Sequence, residues 1–234
     1  MAVPEEILRQ YSVWRGATFA RPPQVVATGY PALDRELPGG GWPGSSLIEI
    51  LGERKGIGEL QLLMPALASL TASGKRVVWL APPHLPYAPA LAAAGVDLTQ
   101  LAVVNAPGRR DALWAAEQAL RSGSCHALLA WLARPAYPEL QRLATAAESG
   151  RAFAVLFRPR IAEREPSPAV LRIALEPGAG DLAVRILKRR GPPAAAPLHL
   201  PINRPVHALG RSSFPIPASR QPRAHRGMGV PVHS

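Results

Sequence analysis

The sequence of 234 residues is 47% hydrophobic and carries a formal net charge of +11, which predicts a sizeable core and an acidic or polyanionic partner. No uncharged apolar run approaches the ~20 residues that cross a bilayer, the first residues lack the pattern of a signal peptide, and the lone Cys125 excludes a disulfide framework. The six histidines form no i, i+4 pair. We therefore expect a cytoplasmic protein with no membrane contact and no bound metal.

The first 45 residues show little regular periodicity. Residues 1–24 combine a short helical stretch with a proline-containing connector and form a predicted N-terminal arm. In residues 28–45, three consecutive glycines and their neighbouring prolines predict turns around a short amphipathic piece.

The next part of the chain alternates between short apolar runs and amphipathic stretches. The runs predict strands over residues 46–51, 76–81, 101–106, 126–132 and 152–158. The stretches between them predict helices over residues 59–73, 87–94, 110–123 and 137–150, and Pro65 is expected to kink the first of these or to delay its start. Near-continuous apolar strands are typical of a parallel sheet covered on both faces. The alternation therefore predicts an α/β domain with a mostly parallel sheet flanked by helices.

The pattern changes in the last third of the chain. Residues 169–190 read as two alternating strands joined by a glycine-containing turn, which predicts an antiparallel hairpin. Residues 191–234 contain nine prolines and few apolar residues, so we expect a disordered tail. All sixteen acidic residues lie at or before Asp181, whereas eight basic residues follow from Lys188 onward. The predicted organisation is an arm (1–24), a core (25–190) and a basic tail (191–234).

A glycine-rich loop, "LGERKGIGEL" (51–60), follows the first predicted strand and opens the first predicted helix. A phosphate-binding loop of the form G-x-x-x-x-G-K-[ST] occupies such a position. On that template Gly52 takes the first glycine, while Ile57, Gly58 and Glu59 replace the second glycine, the lysine and the hydroxyl residue. Gly56 keeps the glycine-rich character of the loop. The pattern fits a nucleotide site or a degenerate nucleotide site, and a chance similarity to the template is the third alternative.

Several strings resemble known families. The stretch "TGYPALDRELPGGGWPGSSLIEILG" resembles the approach to the nucleotide loop in RecA-type recombinases. The ordered strings "VWRG", "LPGGGWP", "GIGEL", "APPHLPYAPALAAAGVDL", "DALWAAEQALRSG" and "LKRRG" are similar to the ImuA family, RecA-like accessory proteins of damage-induced translesion synthesis that are also described as SulA-like. The resemblance spans about residues 12–193 and implies a RecA-like core.

The resemblance also implies that the phosphate chemistry is lost. In RecA-like ATPases the loop lysine grips the phosphates and the following hydroxyl holds magnesium. Those positions correspond to Gly58 and Glu59, the catalytic glutamate corresponds to Pro83, and the acid that closes the Walker B strand corresponds to Trp131. We expect a degenerate loop without tight ATP binding, no cofactor and no enzymatic activity. A nucleotide pocket that uses Arg54 or Lys55 remains the alternative.

Two sets of residues are candidate contacts. The hairpin end matches the recombinase edge that reaches a neighbouring subunit, and the tail could bind polyanions, so the basic candidates for DNA or RecA contact are Lys188, Arg189, Arg190, Arg204, Arg211, Arg220, Arg223 and Arg226. Trp14 and Trp42, in irregular segments, are candidate partner anchors, and packing in the core or at its edge is the alternative, which we favour. Trp79, Trp114 and Trp131 are predicted to lie in the core.

The function that the resemblance implies is a non-catalytic adaptor of SOS-induced translesion synthesis. Its implied partners are an ImuB-type relative of Y-family polymerases, an error-prone DnaE-type polymerase, RecA, whose filaments it would cap or modulate, and non-specific DNA. Two alternatives stay open: a SulA-like cell-division inhibitor that acts on the division GTPase, and a weak ATPase or DNA-binding RecA paralogue.

Overall fold

The computed structural model describes residues 25–178, 180–194 and 196–202. The predicted N-terminal arm and residues 203–234 of the predicted tail lie outside this range. The strands are β1 (Val25–Val26), β2 (Trp42–Pro43), β3 (Ser46–Gly52), β4 (Val77–Leu80), β5 (Leu101–Val104), β6 (Ala127–Trp131), β7 (Phe153–Pro159), β8 (Leu171–Pro177), β9 (Asp181–Lys188) and β10 (Leu198–Pro201). The α-helices are α1 (Pro31–Glu36), α2 (Glu59–Ala72), α3 (Ala88–Ala93), α4 (Arg109–Arg121) and α5 (Tyr137–Ser149).

Eight of these strands form one mixed sheet in the order β10-β9-β8-β3-β7-β6-β4-β5. Strands β3 to β8 run parallel to one another, whereas β9 is antiparallel to both β8 and β10. The predictions of a mostly parallel α/β sheet and of a C-terminal antiparallel hairpin, β8–β9, are therefore confirmed. No helix of the described residues is long and apolar enough to cross a membrane.

Helices cover both faces of the sheet because both faces of its strands are apolar. In β3, Ile48 and Ile50 belong to the same buried cluster as Leu63 and Leu67 of α2. Leu47 points to the opposite face and joins a second buried cluster with residues of α4 and α5. Alternate strand residues point to opposite faces, so a strand with apolar residues on both faces fits a position between two helical layers.

The sheet extends beyond the boundary at residue 190 that the sequence predicts. Strand β10 pairs antiparallel with β9, with Leu200 opposite Leu182 and His199 opposite Ala183. Leu200 is buried, whereas His199 is exposed and its Nδ1 lies 2.7 Å from Asp181 Oδ2. The alternating Leu-His-Leu triplet can bury one face of a strand, but it is too short to stand out among prolines and alanines.

Candidate functional site

The glycine-rich loop joins the carboxyl end of β3 to the first turn of α2. Gly56 has a φ of +77° and Gly58 a φ of +116°, in the left-handed region that residues with a Cβ rarely adopt. Gly58 also lies against the last described residue of the chain, since a Cβ at Gly58 would be 2.6 Å from Ile202 Cδ1. These two glycines let the chain turn tightly into α2.

The side chain of Glu59 closes this loop from the inside. Its Oε1 accepts a hydrogen bond of 2.7 Å from the Gly56 amide, and its Oε2 accepts one of 3.2 Å from the Gly58 amide. Amides at a helix N-terminus are the groups with which phosphate-binding loops hold an anion. Glu59 is only 8% exposed, so the protein's own carboxylate takes the place that a phosphate would need.

The side chain of Ile57 removes further space. Its Cδ1 lies 3.2 Å from the position that a Cβ on Gly52 would take. The residue that replaces the second glycine of the template therefore folds back over the end of β3. Ile57 and Glu59 together fill the inside of the loop, and its description as a degenerate phosphate loop stays a prediction.

We expect ATP with magnesium to bind no more tightly than millimolar, because the amides of the loop are already bonded to Glu59 and no lysine follows the last glycine. Isothermal titration calorimetry with ATP and Mg²⁺ measures this affinity directly. The Glu59→Gln protein, in which the negative charge is removed, is the control. Micromolar, magnesium-dependent binding by the unmodified protein would contradict this reading of the loop.

A cleft lies between this loop and the carboxyl ends of β6 and β7. Its volume is about 180 Å³. Its lining includes Ile50, Glu53, Arg54, Lys55, Trp131, Ala133, Phe157 and Leu175. Trp131 stacks on Phe157 with ring centroids 4.6 Å apart, and it packs edge-on against Trp79 at 5.9 Å. Trp131, which the RecA resemblance aligns with the Walker B acid, therefore contributes an aromatic wall.

The predicted basic contacts of the hairpin end have different environments. Lys188 Nζ donates a hydrogen bond to the Ser167 carbonyl at 2.9 Å. Arg189 forms an ion pair with Glu36 at 2.9 Å, and its side chain is 13% exposed, so its guanidinium joins the hairpin end to α1. Arg190 is exposed. The tail candidates lie outside the described residues: Arg204, Arg211, Arg220, Arg223 and Arg226.

The burial of two tryptophans differs from what the sequence predicts. Trp42 is completely buried and packs against Phe153 with ring centroids 6.2 Å apart, so the prediction of a partner anchor at Trp42 is wrong. Trp114 is 66% exposed on α4, so its predicted core position is also wrong. Its helix buries the stripe that includes Leu113 and Ala116, and Trp114 falls outside that stripe. Trp14 lies outside the described residues.

The structure contains a buried ionic cluster that the sequence pattern does not predict. The Glu49 carboxylate, on the central strand β3, accepts hydrogen bonds from Arg158 Nη1 at 2.8 Å and Arg172 Nε at 2.7 Å. The side chains of Glu49 and Arg158 are fully buried. The only signal in the sequence is the acid at the centre of the apolar run "SLIEIL", and the two arginines are more than a hundred residues away.

Among the described residues, the polar side chains outside this cluster offer no metal site. No group of three or more histidine, cysteine or acidic side chains in the described ranges could hold a metal ion. Burial raises the pKa of the Cys125 thiol to about 11, so this side chain is a neutral core group rather than a nucleophile.

Comparison with known proteins assigns the central segment. Residues 48–154 match the family model described as "Cell division inhibitor SulA". SulA of Edwardsiella piscicida is 33% identical over 99 residues, which cover 42% of this chain and 59% of that relative. Residues 48–154 are SulA-like. The chain thus spans about 59% of the length of this curated relative. The crystal structure of SulA from Pseudomonas aeruginosa is 26% identical, covers 48% of this chain and 97% of that one, and has a TM-score of 0.42.

These matches correct the functional prediction. Both the family model and the curated relative are described as cell-division inhibitors, so the predicted adaptor role in translesion synthesis is wrong. The assignment to the ImuA family receives no support. The partners drawn from it are overturned with it: the ImuB-type protein, the DnaE-type polymerase, RecA and DNA. The findings favour the alternative that the sequence analysis kept open, a SulA-like division inhibitor.

Proposed function

We propose that this protein inhibits cell division by binding the division GTPase FtsZ, without catalysing a reaction itself. The observation that carries the proposal is the SulA-like segment, residues 48–154, with 33% identity to a curated division inhibitor. The loop geometry supports a binding role, because Glu59 and Ile57 fill the space in which a phosphate would sit. The localisation that this role requires is the cytoplasm, which remains a prediction.

The SulA-like segment carries exposed apolar side chains that a binding protein needs. Leu85 is 89% exposed and Tyr87 is 71% exposed in the loop between β4 and α3. Exposed aromatic and large apolar side chains commonly anchor protein interfaces. We propose the Leu85–Tyr87 loop as the contact with the GTPase.

Expression of the full chain in a bacterial host is expected to produce filamentous cells, because inhibition of the division GTPase blocks septation while growth continues. Cell length measured by microscopy tests this in the host, and sedimentation of purified FtsZ polymers tests it directly. Cells of normal length at a verified level of folded protein, together with unchanged polymer yield, would refute the proposed function.

The double variant Leu85→Ser/Tyr87→Ser is expected to weaken inhibition of polymerisation by roughly tenfold or more, since interface anchors cost about 2 kcal/mol or more when truncated. The matched control is Ile161→Ser. Ile161 is 65% exposed but lies outside the SulA-like segment. Equal inhibition by the double variant and the control would place the contact elsewhere on the chain.

Beyond the mostly parallel α/β sheet, we also propose that the core is RecA-like, and we propose limits for the domains. Strand β3 lies between two parallel neighbours, β7 and β8, and leads through the glycine-rich loop directly into α2. This arrangement supports a RecA-like core that has kept the loop without its phosphate chemistry. We retain the arm at residues 1–24 and a core that begins near residue 25, and place the end of the core beyond β10.

A further inference from the structure

The cleft at the carboxyl edge of the sheet has an apolar interior. Its floor and walls come from Ile50 of β3, Trp131 of β6, Phe157 of β7 and Leu175 of β8. Parallel α/β sheets bind ligands at the carboxyl ends of their strands. The stacked pair of Trp131 and Phe157 presents aromatic surface there, which favours offset or edge-on contact with another ring.

The size of the cleft limits what it can hold. A cavity of about 150 Å³ lined by apolar side chains accommodates benzene, whereas drug-sized ligands occupy roughly 300–1,000 Å³. The cleft measures about 180 Å³. The enclosed part of the cleft therefore has room for one aromatic ring.

The mouth of the cleft is basic. Arg54 and Lys55 line it and are exposed, and neither forms an ion pair with any other described residue. Glu53 lies on the same rim, while the carboxylate of Glu59 is turned toward the loop amides. The rim thus has two cations against one free carboxylate, and a guanidinium can bind a carboxylate with two parallel hydrogen bonds.

We propose that this cleft binds a small aromatic monoanion, a single-ring carboxylate of the phenylacetate class. The ring enters the space beside Trp131 and Phe157, and the carboxylate reaches Arg54 and Lys55 at the mouth. This site lies beside the filled phosphate loop and is separate from the Leu85–Tyr87 contact. It extends the proposed function and does not depend on it.

The probe for this site is 4-fluorophenylacetate, observed by fluorine NMR in the presence of the full-length protein. We expect saturable binding in the millimolar range, and weaker binding of the neutral 4-fluorobenzyl alcohol, by about fivefold, because the ion pairs at the mouth are exposed. Acetate should not displace the probe at equal concentration, since it lacks the ring. Absence of saturable binding, or equal binding of acid and alcohol, would overturn the proposal.

Two variants locate the binding. Ala133→Trp should abolish it, because Ala133 is an exposed residue of the lining and an indole there fills the space. Arg54→Gln/Lys55→Gln should weaken it about fivefold. The matched control, Lys75→Gln/Arg76→Gln, removes the same two charge types before β4, at the opposite edge of the sheet, and should bind as the unmodified protein does.

A second measurement covers the case in which Ala133→Trp does not fold. The indole Nε1–H of Trp131, assigned in nitrogen–proton NMR spectra through Trp131→Phe, should shift when the unmodified protein is titrated with 4-fluorophenylacetate. An unshifted Trp131 resonance at saturating probe, or equal loss of binding in both charge-pair variants, would refute the site.

Discussion

Replacing Glu49 with alanine is expected to lower the free energy of unfolding by about 3–5 kcal/mol. The carboxylate is fully buried on the central strand and accepts hydrogen bonds from both Arg158 and Arg172. Removal of the acid leaves the fully buried Arg158 with the half-exposed Glu165 as its remaining carboxylate partner and leaves the nearly buried Arg172 with none among the described residues, and each guanidinium retains the cost of its lost hydration. Urea denaturation followed by circular dichroism gives the change in unfolding free energy.

A surface ion pair provides the matched control. Glu117 pairs with Arg121 one turn along α4 and with Arg142 of α5, and both arginine side chains are more than half exposed. Glu117→Ala should therefore cost no more than about 1 kcal/mol. The triple variant Glu49→Leu/Arg158→Leu/Arg172→Met should recover much of the loss, since a buried ionic triad can be exchanged for apolar side chains. A Glu49→Ala protein as stable as the Glu117→Ala protein would contradict the buried cluster.

Trp42→Ala is expected to destabilise the protein by about 3–5 kcal/mol, the usual range for truncation of a large buried aromatic side chain. The indole is completely buried and packs against Phe153. Its Nε1 has no hydrogen-bond partner among the described residues. The lost stability therefore comes from lost packing contacts and lost burial of apolar surface, not from a broken hydrogen bond. Trp42→Phe should consequently retain more of the stability than alanine does.

The control for this substitution is the exposed tryptophan on α4. Trp114 is 66% exposed, and substitutions at such surface positions usually change stability by no more than about 0.5 kcal/mol. Thermal or urea unfolding of both alanine variants separates the two sites. A larger loss for Trp114→Ala than for Trp42→Ala would show that their environments are reversed.

The functional prediction failed because a resemblance built from short strings does not separate related families. The strings "GIGEL" and "DALWAAEQALRSG" both lie within residues 48–154, the segment that matches the SulA model. An aligned segment of about a hundred residues compares far more positions than these strings, and that segment is similar to SulA.

The sequence by itself determined the layered α/β architecture. Apolar runs such as 126–132 can be buried only between two layers, and the amphipathic stretches between them supply those layers, so local periodicity predicts the strands, helices and final hairpin. The loss of the loop lysine and hydroxyl was equally visible, because it concerns residue identity at fixed spacing.

The tertiary structure alone decided which groups meet. The sequence shows Glu59 only as a replacement for the hydroxyl residue of the loop, whereas the turn through Gly56 and Gly58 brings its carboxylate onto the loop amides. Glu49 finds its arginines on β7 and β8, the two strands that flank β3 in space but follow it by more than a hundred residues. Local pattern reports which face a residue prefers, whereas strand order and chain packing determine its partner across that face.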